Sequence, residues 1–528
     1  MGKDVRTGRR IRAFLFFGAA KVALSCALLC GVFLCPAKVA LAQERPAQTI
    51  RDLKVSDLFV PGELGVVSQI QPAVASHAAA KQVILIQDAH VNYEAQKHLA
   101  AIVDRLASTY GVRLILVEGG EGDVSLSYMR DRGSPAARQA VGEEYLKTGM
   151  ISGEEYLDIV SEQPLMLWGI DDPARYREHF NLFLEVERVA ASVSQELEQL
   201  RQLAQTLKER TVGEALKAFE ATQAQFDADQ LPLEEYAKFL IGHAAAAGLS
   251  LADAPNVERV VAVTSIEATV NFEQAHAEQS QVIAKLRTVG SAEELAHLTD
   301  TAQQLHTDQA ATETFYQELS SLITRHQIDL SGMPNLAGYL RYIRLKTELE
   351  PRALLSELTL VVSAIKARLA ASASEKELTE LADRVGLIQR LLQLAWTPDD
   401  YTVYQAHAEE CLPSQWLPQL RTHAEQLGVA WTGPNDPAAL DAAVARGVQF
   451  YAVAKARDLE MVRRALEAMD AKGERTAALI AGGFHTDDMR DLLMAQGIDV
   501  AVITPDASDE DDHDRYSRIL KFKYGARR

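Results

Sequence analysis

The sequence predicts an α/β protein whose parallel-sheet core is formed by its N- and C-terminal segments and interrupted by a large all-α insertion. Three observations lead there. Short apolar runs ending in polar residues alternate with helical periodicity before residue 180, and the same alternation returns after residue 433. The stretch between them is dominated by Leu, Ala, Glu and Gln at helical spacing.

The first run, Val83-Ile84-Leu85-Ile86, follows a polar leader and ends at Gln87-Asp88-Ala89-His90, which reads as a buried strand. A helix should follow, with Asn92 as N-cap, Glu94 in the first turn, an apolar face of Leu99, Ile102, Val103 and Leu106, and Gly111 at its end. The next strand, Leu114-Ile115-Leu116-Val117, ends at Glu118. Its exit, Gly119-Gly120-Glu121-Gly122, lets backbone approach a ligand closely. A third strand, about Leu165 to Ile170, ends at Asp171-Asp172. Strands separated by helices in this way predict parallel pairing with right-handed crossovers.

Residues 181–432 read as the insertion. Phe183 to Phe219 and Ala353 to Leu394 carry apolar residues three and four apart, the pattern that long antiparallel hairpins bury. Five of its histidines, His243, His276, His297, His306 and His326, are scattered without an i,i+4 ligand pair, so a packing or spacer bundle is expected. Beyond it come a helix over Asp436 to Ala445, a strand over Val448 to Val453 and a helix starting near Arg457-Asp458. The strand Ala477 to Ala481 then leads into Gly482-Gly483-Phe484-His485. Thr486 is placed to cap the next helix, Asp487 and Asp488 suit its positive end, and Gly497 can close it. A last strand, Val500 to Thr504, runs into the acidic stretch Asp509 to Asp514, read as a solvated loop.

Composition sets the class. At 528 residues, with 48% hydrophobic and 24% charged side chains, the chain is globular and long enough for two or more domains. Lys3, Arg6, Arg9, Arg10 and Arg12 precede an apolar run from about Ala13 to Cys35, and Ala40-Leu41-Ala42 offers a cleavage site. Residues 1–42 therefore read as a signal peptide. It is followed by the first half of the core (43–180), the insertion (181–432) and the second half of the core (433–528). The protein is expected to be exported to the periplasm or beyond, touching the membrane only in transit; retention as an N-terminal anchor is the alternative. Removal of the signal leaves 47 basic against 72 acidic side chains, net −25, which excludes nucleic acid as a partner. The short basic tail with Lys521, Lys523, Arg527 and Arg528 reads as a solvated end. Cys26, Cys30 and Cys35 leave with the signal, so Cys411 stands alone as a small core residue and no intrachain disulfide is expected.

In an open parallel sheet the carboxyl ends of the strands line the ligand crevice. Here they carry Asp88, His90, Glu118, Asp171, Asp172 and His485. If both halves share one sheet, His90, Glu118 and His485 can meet, and two imidazoles with a carboxylate are a competent set for a divalent transition metal that activates water. Asp88 or Glu118 could instead be the general base for water with no metal. Arg457 is placed to stabilise an anionic intermediate, with Gly482 and Gly483 as candidates for backbone contact with a cofactor.

The motif Gln87-Asp88-Ala89-His90 with the later Glu118, and Gly482-Gly483-Phe484-His485 with Arg457-Asp458 and Met461 before it, resemble the TraB/Tiki and ChaN-like superfamily, which includes erythromycin esterase-like proteins. The resemblance covers about 200 of the 528 residues. Gln87 stands where the family has its first glycine. The resemblance implies an α/β core with a variable helical insertion and a cleft holding both histidines and the glutamate. It implies metal-dependent peptide hydrolysis, ester hydrolysis or haem binding without selecting among them. The expected partner is a small-molecule or peptide substrate, with the insertion's protein partner unspecified; a non-catalytic interaction protein is the remaining alternative.

Overall fold

The computed structural model describes residues 60–71, 81–228, 230–304, 309–349 and 351–507, together with Val55 and Leu58. The segment read as a signal peptide, its three cysteines, the acidic run 509–514 and the basic tail lie outside the described residues. The chain divides into two compact units: one of residues 196–386 with 416–434, and one of the described parts of 41–195, 387–415 and 435–528.

The second unit holds a seven-stranded sheet in the order β1-β7-β2-β6-β3-β5-β4. Its strands are β1 (Gly65–Gln71), β2 (Gln82–Asp88), β3 (Leu114–Val117), β4 (Glu121–Asp123), β5 (Met166–Ile170), β6 (Thr476–Gly482) and β7 (Asp499–Pro505). The five inner strands, β7, β2, β6, β3 and β5, pair in parallel. The two edges, β1 against β7 and β4 against β5, are antiparallel. The predicted fold class therefore holds: strands from both ends of the chain build one mostly parallel sheet, and between β5 and β6 every described element is a helix. Strand β1 was not foreseen, because Gly65-Val66-Val67-Ser68-Gln69-Ile70-Gln71 lacks a clean apolar run. As an edge strand it needs only one paired side.

Helices cover both faces, as buried parallel strands require. On one face Ile84, Ile86, Ile115, Ala478, Ile480 and Ile503 pack against Leu99, Val103 and Leu106 of α1 (Tyr93–Tyr110). On the other, Val83, Leu85, Leu114, Leu116, Leu479 and Val502 meet Met461, Ala465 and Met489. α1 begins and ends as its sequence predicts: the Asn92 side chain accepts from the Ala95 N–H, and Gly111 is left-handed at φ 71°. The helices α2 (Pro135–Lys147) and α3 (Gly153–Val160) follow β4, and α4 (Pro173–Thr211) follows β5. After the insertion come α5 (Ala438–Lys472) and α6 (Gly483–Ala495).

Two expectations are corrected here. The strand expected over Val448 to Val453 is part of α5, a single helix of 35 residues. Its buried positions, Val444, Gly447, Tyr451, Ala454, Arg457, Asp458, Met461 and Val462, recur at three- and four-residue intervals, and that period overrides the β-branched pair. Thr486 is not the N-cap of α6; the helix starts at Gly483 with Gly482 as cap, and the Thr486 hydroxyl donates to the Gly482 carbonyl at 3.2 Å. The α4 helix runs unbroken through residue 181, and residues 387–415 belong to the sheet-bearing unit.

The helical unit buries its own apolar surface in two clusters. One is built around Phe219, Tyr236, Leu240, Val257 and Leu354, the other around Phe315, Leu319, Leu336 and Tyr339. Among the described residues no helix is long and apolar enough to cross a membrane.

Gly169 in β5 has no room for a side chain, since a Cβ there would lie 2.1 Å from the backbone carbon of Gly120. Gly169→Ala should force the two backbones apart and destabilise the sheet-bearing unit by about 1–3 kcal/mol. The check is a lower urea midpoint at unchanged slope.

Candidate active site at the strand ends

Strand β6 lies between β2 and β3, so its carboxyl end sits between theirs. Asp88 is opposite Gly482 in register, and the Glu118 N–H donates to the Ile480 carbonyl at 3.2 Å. The first residues of α6 then bring His485 back over Glu118. Asp88, His90, Glu118, Arg457, Gly482 and His485, all named from the sequence, thus form one cluster. Gly483 lies at the exposed start of α6, with no heavy atom within 4 Å of where its Cβ would be.

Glu118 is the centre. One carboxylate oxygen accepts from the Gly482 N–H at 2.9 Å, the other from Arg457 Nη2 at 2.9 Å, and His485 Nε2 lies 3.4 Å from that second oxygen. His90 approaches from the other side: a Cβ on Gly482 would stand 3.1 Å from His90 Nε2 and 3.6 Å from Glu118 Oε2. Glycine at 482 therefore leaves room for both side chains. Each imidazole is backed at its other nitrogen by a carboxylate. His90 Nδ1 donates to Asp88 at 2.6 Å, and His485 Nδ1 donates to Asp458 at 2.5 Å. Such pairing fixes ring orientation and turns Nε2 away from the supporting carboxylate.

Arg457 is buried and occupied. Its Nε and Nη2 grip Asp171 at 3.2 and 2.5 Å, Nη1 donates to His179 Nδ1 at 2.8 Å, and the Tyr176 ring lies 5.0 Å away. As placed, it anchors Glu118 to β5 and α4 rather than opening onto solvent.

The electrostatics follow from this geometry. Burial opposes charge on His90, but Asp88, by charge and hydrogen bond, and then Glu118 outweigh it and lift its pKa from 6.5 to about 9. His485 is raised for the same reasons: burial works against its charge, while Glu118 and Asp458 favour it more strongly. Burial alone would raise the Glu118 carboxyl, yet His485, Arg457, His90 and the Gly482 N–H together hold it well below the ordinary carboxylate range. Asp458 goes the other way, pushed up to about 6 chiefly by burial. His179 is lowered by burial and by the Arg457 charge, so it is neutral and accepts at Nδ1. Accessibility separates the imidazoles, with the His90 side chain 33% exposed and that of His485 7%.

Sequence reasoning left out Asp458 as the partner of His485, Asp171 and His179 as holders of Arg457, and Gln96. A signal existed for two of them. Gln96 interrupts the apolar stripe that continues through Leu99 and Val103, and His179 does the same ahead of Leu182, Phe183 and Val186. A polar residue on a core-facing stripe needs a buried partner. Asp458 and His485 are 27 residues apart on two helices with β6 between them, and nothing local links them.

The donor types suit a divalent transition metal, but among the described residues no group of three His, Cys, Asp or Glu is arranged to hold one. The cause is visible at Glu118, whose two oxygens are taken by Arg457 and the Gly482 N–H. An open groove between α4 and α5, lined by Arg177, Glu178, Asn181, Arg446 and Gln449, contains none of the clustered residues. Nothing among family models, curated proteins or solved structures matches this chain.

Two predictions test the cluster. Arg457→Met leaves Asp171 and Glu118 buried without their cation and should cost about 3–5 kcal/mol, read as a lower denaturation midpoint. The second concerns pH. Because the folded pKa of His90 lies above its ordinary value, its contribution to stability is complete below about pH 6.5 and is lost as pH rises through about 9. The urea midpoint should fall across that window, and Asp88→Asn should flatten the fall.

Proposed function

We propose that this chain is an exported hydrolase of peptide or ester bonds, with water activated at the Asp88–His90 pair beside Glu118. The observation that carries this reading is the convergence of two carboxylate-backed imidazoles on one buried carboxylate at the strand ends. The motifs at Gln87–His90, Glu118 and Gly482–His485, which resemble the TraB/Tiki and ChaN-like superfamily, support the same residues.

Each group has a part. With Nδ1–H committed to Asp88, neutral His90 takes the proton of an attacking water at Nε2 as the water oxygen bonds to the carbonyl carbon. The same proton is then returned to the leaving amine or alkoxide as its bond to carbon breaks. His485, whose charged form is favoured by Glu118 and Asp458, supplies positive charge for the carbonyl oxygen as it becomes anionic. Glu118 is too weak a base for that work, and its role is to orient both rings.

Hydrolysis of ester and peptide substrates by the purified mature chain, with and without chelator, tests the reading. Activity should rise with pH toward about 9 as His90 loses its proton, and His485→Ala should lower it about 100-fold or more. Equal activity in both proteins, or none in either, overturns the proposal. A haem absorption change that disappears in His90→Ala would replace it with haem binding.

A further inference from the structure

Behind Asp88 the cluster continues into the protein. Gln96, on α1, is completely buried, and both ends of its carboxamide are engaged. Its Nε2 donates to Asp88 Oδ1 at 2.6 Å, and its Oε1 accepts from the Gly153 N–H, the first residue of α3, also at 2.6 Å. Because a backbone N–H can only donate, the amide orientation is fixed: oxygen toward α3, nitrogen toward Asp88. Asp88 then gives its other oxygen to His90. The chain of contacts runs from the start of α3 through Gln96 and Asp88 to the imidazole.

The surrounding packing enforces this. At Gly153 a Cβ would lie 2.2 Å from the Gln96 carbonyl and 3.1 Å from the Ala100 nitrogen, so α3 docks on α1 through bare backbone. Ser152, capping α3, and the buried Glu154, whose Oε1 accepts from the Ser152 hydroxyl at 2.5 Å, close the same corner. A carboxylate with one donor can swivel about its terminal torsion, whereas one held at both oxygens by fixed donors cannot.

We propose that Gln96 is a positioning residue, which locks the Asp88 carboxylate in the orientation that holds a proton on His90 Nδ1 and leaves Nε2 for the chemistry. This rests on the proposed role of His90, but it is tested without substrate. Gln96→Met keeps length and burial while removing both contacts.

In the full mature chain labelled with ¹⁵N-histidine, the His90 resonances are those missing from His90→Asn. Wild type should show a downfield Nδ1 proton from the bond to Asp88 and, above about pH 9 where Nε2 has lost its proton, the ring nitrogen shifts of an Nδ1-protonated imidazole. In Gln96→Met the downfield proton should be lost, as it is in Asp88→Asn, and the double variant should match Asp88→Asn alone. If hydrolysis is established, kcat should fall about 10-fold with KM unchanged.

An unchanged His90 signature in folded Gln96→Met overturns the inference while leaving the hydrolase reading intact. Absence of hydrolysis with the signature lost does the reverse. Should Gln96→Met not fold, the Gln96 carboxamide protons of wild type carry the test. They should shift on Asp88→Asn, and unshifted signals refute the contact.

Discussion

The parallel seating of Thr476–Gly482 between Gln82–Asp88 and Leu114–Val117 is the constraint on which the rest of the sheet-bearing unit depends. A strand from the far end of the chain supplies hydrogen bonds to two strands from the near end, so neither half can complete a sheet alone. Its composition suits that position. Ala477, Ala478 and Ala481 keep the strand slender between two faces covered by helices, and Leu479 and Ile480 fill one face each. The same placement puts the Gly482 N–H, Asp88 and Glu118 side by side.

Charge balance governs what these groups can be. Glu118, Asp171 and Asp458 are carboxylates with little access to water, and each faces a cation: Arg457 for the first two, His485 for the third. Buried ion pairs return little net stability, because desolvation consumes most of their mutual attraction, while a broken pair is costly. The cluster is therefore better understood as a means of fixing geometry than as a source of folding energy. Arg457 illustrates it, joining α5, α4, β5 and the end of β3 through one rigid, planar group. Such fixed polar surroundings are what a reaction that creates charge requires.

Much of this was legible in the sequence, for physical reasons. Buried parallel strands read as continuous apolar runs, so Val83–Ile86, Leu114–Val117 and Ala477–Ala481 were plain, as were the polar residues that end them. The edge strand Gly65–Gln71 was not, since a glycine at its start and Ser68 and Gln69 among its apolar residues leave no continuous run. Val448–Val453 misled because short apolar stretches do not distinguish a strand from the buried stripe of a long helix. At the site, strand-end residues could be named because topology sends them to one rim. Of their supporting partners, Asp458, His179 and Gln96 lie on helices and Asp171 at the end of β5, and only tertiary packing decides which groups these bring near.

The interleaving of early and late strands bears on how the protein is made. Residues 114–117 leave the ribosome long before residue 476, an interval of tens of seconds at about 5–20 residues per second. For that time the apolar edges of Gln82–Asp88 and Leu114–Val117 have no native neighbour between them, although the intervening helices can pair locally as they emerge. A nascent chain of this design stays unfinished until almost its last segment is synthesised. The export proposed for this chain would be helped by that delay.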